Sequence, residues 1–82
     1  MRFSCIRAKE DRDSFRFFQE IGMNVYELED LERTDEAISR LIKDNYTTIF
    51  LSNEVAGFSE DIIKKYQSNS DVNIIIAPSK RI

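Results

Sequence analysis

The chain has 82 residues, 41% apolar and 33% charged, with a net charge of −3, one cysteine and no histidine. This is the composition of one small folded domain that hides roughly 60–65% of its unfolded surface. The 12 basic and 15 acidic residues are interspersed, leaving no basic stripe for a nucleic acid, and the longest apolar run, IIIA at 74–77, is far short of a bilayer span.

Residues 2–8, RFSCIRA, alternate as a first strand. The next segment, KEDRDSFRFFQEIG, sets Glu10, Asp11 and Asp13 ahead of Phe15, Phe17 and Phe18. It reads as a helix over 14–21, capped by Asp11 or Asp13 and closed by Gly22 in a left-handed exit. A second strand, NVYEL at 24–28, comes next. A helix then begins near Thr34, whose hydroxyl is expected to cap it, shows an apolar face of Ile38, Leu41 and Ile42, and ends at Asn45. TTIFLS at 47–52 is a β-branched third strand, apolar enough to be central. Val55, Phe58, Ile62, Ile63 and Tyr66, spaced by three and four, predict a third helix over 54–67, with SNSD at 68–71 as its exit turn. VNIIIA at 72–77 is a final aliphatic strand ended by Pro78. The order βαβαβαβ with short linkers requires right-handed crossovers. It predicts a small doubly wound open parallel sheet of four strands in the order 2-1-3-4, with three helices, as one α/β domain over 1–82.

In such folds chemistry sits just beyond the carboxyl ends of the strands, here AKEDRDS, SNEVAG and APSKR. A receiver-like phosphoacceptor site could draw on Glu10, Asp11 and Lys80, but Ser52-Asn53 stands where the nucleophilic aspartate belongs. A cysteine-phosphatase reading of Cys5 and Arg12 meets a loop without glycine and with two carboxylates that repel an anion. A small apolar role for Cys5 inside its strand is the simpler reading. Gly22 and Gly57 do not follow the first strand, so nothing cradles a nucleotide or flavin phosphate, and serine hydrolysis lacks its histidine. No catalytic, cofactor or metal residue is expected, and no small-molecule substrate. The aromatic run raises a different possibility. Phe15 and Phe18 share one helical side while Phe17 pairs with Ile21 around it, and an exposed Phe17 would mark a protein contact.

DRDSFRFFQEIG, running on into NVYELED, resembles the N-terminal motif of the small F subunit family of V-type and A-type ATP synthases, called G in some sodium-pumping bacterial complexes. Asp11, Asp13, Ser14, Phe18 and Gly22 fall on that motif, and the similarity runs on through Asn53-Glu54 to IIIAPSK. Phe17 stands where the family has a glycine, Gln19 where it has arginine, and Glu20 where it has leucine. The family's C-terminal helical tail has no counterpart in the 82 residues. The resemblance implies a non-catalytic subunit of the rotating central stalk, in ion transport coupled to ATP synthesis or hydrolysis. Its implied partners are the coiled-coil D subunit and, beyond it, the catalytic head. It also implies a cytoplasmic location, peripheral to the membrane. Phe17, Val55, Phe58 and Tyr66 are expected to include the docking anchors. The alternative is a degenerate receiver-like interaction domain.

Overall fold

The computed structural model describes residues 3–68 and 71–77. Strands β1 (Phe3–Ala8), β2 (Asn24–Leu28), β3 (Thr48–Ser52) and β4 (Asn73–Ala77) form one parallel sheet in the order β2-β1-β3-β4, as predicted. The connecting helices are α1 (Arg16–Glu20), α2 (Thr34–Lys43), α3 (Asn53–Ala56) and α4 (Glu60–Gln67), with a 3-10 turn over Leu31–Arg33 before α2. Pro78, Lys80 and residues 69–70 of the exit turn predicted over 68–71 lie outside the described residues.

The predicted third helix is therefore two. Ser52 Oγ accepts from the Val55 amide at 3.3 Å and starts α3. The chain then leaves helical geometry at Ser59, at φ −144°. There the hydroxyl of Ser59 donates to the Asp35 carboxylate, tying the α3–α4 corner to the first turn of α2. Thr34 also departs from expectation: it opens α2, but its hydroxyl donates to the Leu31 carbonyl instead of accepting from the helix, and Asp30 caps the 3-10 turn ahead of it.

Two helix ends match the predicted residues closely. After α2, Asn45 sits at φ 73° while the Tyr46 amide donates to Leu41 C=O and the Asn45 amide to Ile42 C=O. After α1, Gly22 sits at φ 93° with Met23 donating to Phe18 C=O and Gly22 to Gln19 C=O. Both are double-bonded left-handed exits that satisfy orphan carbonyls, and glycine or asparagine reaches that φ at least cost.

Register divides the sheet into two faces. Ile6, Ile49 and Ile74 with Leu51 and Leu28 point one way, and they meet Ala37, Ile38, Leu41, Val55, Ala56 and Ile63 of α2, α3 and α4 in the buried core. Phe3, Cys5, Arg7, Phe50 and Ile75 point the other way, toward α1. No helix of the described residues is long and apolar enough to cross a membrane.

Candidate protein-docking site

The α1 face is built by a turn, a buried cation and a set of aromatic rings. At the end of β1, Asp11 Oδ1 accepts from the amides of Asp13 and Ser14 at 3.1 and 3.0 Å, and Oδ2 accepts from Ser14 Oγ at 2.6 Å. The expected cap is thus Asp11, but it closes the turn at 11–14 and not the helix, which starts only after Phe15. Phe15 itself lies at φ 60°, a left-handed position that disfavours a side chain by about 1–2 kcal/mol. From this position its ring enters an aromatic stack. Phe15 and Phe18 lie 6.1 Å apart with near-parallel rings, both touch Phe50 of β3 at 6.4 and 5.6 Å, and Phe3 reaches the same Phe50 at 6.4 Å. Edge and offset contacts of this kind contribute about 0.5–1.5 kcal/mol beyond area burial.

Arg7 fastens this layer to the sheet, a role the sequence reading missed. Its guanidinium is buried and donates to Ser14 C=O at 2.7 Å, to Gln19 Oε1 at 3.1 Å and to Glu27 Oε2 at 2.6 Å. Arg7 and Glu27 are register partners on adjacent strands, so one cation joins β1, β2, the turn and α1. The available signal was an arginine two residues after Cys5 in a strand without any other charge, with one glutamate in the neighbouring strand. Burial would raise the Asp11 pKa, yet the Ser14 hydroxyl, the Ser14 and Asp13 amides and the nearby Arg7 together hold it below its ordinary value. The Arg7 hydrogen bond, against some desolvation, holds Glu27 low as well. Cys5, on the same face, is buried, and that burial pushes its thiol up to about 11 against the pull of Arg7. At neutral pH it is a thiol, and a poor nucleophile.

Two further rim groups have structural partners: Lys9 pairs with Glu29 at 2.7 Å, and Ser52 caps α3. Among the described residues no group of three or more His, Cys, Asp or Glu side chains is gathered as a metal site.

What stays open is apolar. All residues of α1 remain at least partly exposed, and between α1 and the β3–β4 half of the sheet runs a groove of about 870 Å³ lined by Phe15, Phe17, Phe18, Phe50 and Ile75 with Asp13 and Arg16 at its mouth. Phe17 is 68% exposed and Ile75 44%. Of the other predicted anchors, Phe58 is 50% exposed but stands at the α3–α4 corner, and Tyr66 on α4 is partly buried against the aliphatic core. Both are on the opposite side of the sheet from Phe17. Val55 is fully buried in that core, where no partner reaches it. The four residues therefore do not form one patch, and Phe50 and Ile75, strand residues of the α1 face, join Phe17 in their place.

Residues 10–82 match the model of the ATP synthase (F/14-kDa) subunit family. The chain belongs to that family. It is similar to the V-type ATP synthase F subunit of Fusobacterium nucleatum, 31% identical over 71 residues that cover 87% of this chain and 68% of the relative. It is also similar to the V-type ATP synthase F subunit of Clostridium botulinum (strain Eklund 17B), 27% identical over 79 residues, 96% of this chain and 77% of the relative. The ATP synthase F family is the one that the aspartate-serine turn and the closing aliphatic strand indicated, and within its fold the Asp11–Ser14 motif closes the turn that sets the aromatic layer in place.

Proposed function

We propose that the chain is a non-catalytic subunit of the central stalk of a V-type or A-type ATP synthase, a cytoplasmic protein peripheral to the membrane. In this reading it docks through its α1 face on the coiled-coil D subunit of the rotor, while ATP chemistry and ion transport belong to other chains. Membership of the ATP synthase F family over residues 10–82 carries the reading. The geometry supports the choice of face. Parallel sheets are covered by helices on both sides, and here α1 has five residues and leaves Phe50 and Ile75 of the β3–β4 half lining an open groove. A helix of a coiled coil laid into that groove completes the layer. Exposed Phe17 in its lining is an apolar anchor of the sort that dominates such interfaces, and Asp13 and Arg16 give it a polar rim.

The test is reconstitution with the coiled-coil D subunit from the same genome. The expected result is a complex that survives gel filtration, weakened about tenfold or more by Phe17→Ala, a loss of ~1.4 kcal/mol, and little changed by Phe58→Ala. No complex with D, or a complex that responds to Phe58 and ignores Phe17, overturns it.

A further inference from the structure

None of residues 11–22, which make up α1 and the turn before it, is buried, yet on the sheet face they cover Cys5 is closed to water and Arg7 is only 3% exposed. A cover whose residues all keep part of their surface in water gains less from the hydrophobic effect than the α2 and α4 side does. Its polar ties to the sheet converge on one side chain. Arg7 donates to Ser14 C=O and to Gln19 Oε1, and Glu27 of β2 supplies the opposing charge.

Two features work against this closed arrangement. Phe15 holds φ 60°, a left-handed value that a side chain adopts only at a cost, and the buried Nε of Arg7 has no hydrogen-bond partner among the described residues. Opening relieves both. The segment also has a pivot at its far end: Gly22 sits at φ 93°, and a Cβ there would meet nothing within 4 Å, so the glycine supplies backbone freedom and not room.

We propose that residues 11–22 are a strap that lifts from the sheet as a unit while the aliphatic side stays folded, with the Arg7–Glu27 pair as its latch. Local openings of this kind draw on segments with few buried contacts, and the strap has that character whereas α2 does not. Phe15, Phe17 and Phe18 line the groove and travel with the strap, so the groove exists only while the strap is down. The consequence for docking rests on the function proposed above; the lifting itself is a property of the chain alone.

Cys5, the only cysteine of the chain, reports the lifting. While the strap is down its thiol is shielded and, with its pKa pushed up to about 11 by burial, protonated. Alkylation of the whole chain by iodoacetamide in mildly alkaline buffer, followed by mass spectrometry, measures how often the strap is up. The expected result is labelling that varies little with urea well below the unfolding midpoint, because a local opening exposes little surface. Glu27→Gln keeps the shape of the latch but not its charge, and should speed labelling about tenfold. Glu29→Gln, which breaks only the exposed pair with Lys9, should leave the rate unchanged. Ile38→Val weakens the aliphatic side and should also leave it unchanged, whereas labelling through global unfolding would accelerate with it. In the parent chain the amides of Gln19, Ile21 and Gly22 should exchange at the frequency of the thiol while those of β2 keep their protection. Labelling that climbs steeply with the first additions of urea, that follows Ile38→Val or ignores Glu27→Gln, or that is matched by exchange throughout β2, would overturn the proposal.

Discussion

On one side of the sheet Ile6, Ile49, Leu51 and Ile74 meet Ile38, Leu41, Val55 and Ile63 in an aliphatic layer closed to water; on the other, Phe50 meets a helix of five residues that buries none of its own, and Ile75 lines an open groove. The first side is held by dispersion and the hydrophobic effect over several long elements. The second is held by a buried arginine, a capped turn and ring contacts, and much of its apolar surface still faces water. The contrast separates the face that folds the domain from the face proposed here to dock on another chain.

Adjacent residues of β3 give the sharpest way to break the comparison. Leu51→Ala, on the closed face, should destabilise by about 2–5 kcal/mol in urea unfolding, enough to threaten a domain of this size. Phe50→Ala, one residue away on the half-covered face, should cost about 1–2 kcal/mol although it removes a larger side chain. Equal losses would show that the α1 face is as much a core as its opposite. Arg7→Ala comes next, at about 1–3 kcal/mol from its lost charged hydrogen bonds. Its signature is local: hydrogen exchange should accelerate over residues 11–21 while amides of β3 and α2 keep their protection.

Acid should separate the faces in the same way. Asp11 and Glu27 both have folded pKa values below their ordinary 3.8 and 4.5, so their contribution is complete above those values and is lost as the pH falls through the lowered folded ones. Both groups serve the α1 face. Titration from pH 6 to below pH 4 should therefore loosen the 11–14 turn and α1 before the aliphatic face opens, seen as early loss of protection over 11–21. Simultaneous loss on both faces would contradict this. The smallest effect belongs to Phe17→Ala, which should change stability by no more than about 0.5 kcal/mol because the ring is largely in water already.

Much of the fold was legible because its signals are local and periodic. The four strands, their order, the start of α2 and the exits at Gly22 and Asn45 come from alternation, from β-branched runs and from residues that tolerate positive φ. The break between α3 and α4 was not, because the apolar spacing from Val55 to Tyr66 is continuous and the interruption depends on Ser59 bonding to Asp35, 24 residues earlier. The candidate site was legible in part. The aromatic run announced a surface, and Phe17 lies on it; Val55 and Phe58 share its helical spacing logic but belong to the other side of the sheet. Arg7 was hidden because its partners, Glu27, Ser14 and Gln19, converge only when β1, β2 and the intervening turn are assembled.

In the proposed function the half-covered aromatic face is the one that meets the rotor. Hydrogen exchange of the chain alone and in the presence of the coiled-coil D subunit from the same genome tests this directly. Protection gained over 15–21 and at β4, with α2 and the α3–α4 corner unchanged, is the predicted footprint, whereas protection confined to α2 or the α3–α4 corner would contradict it.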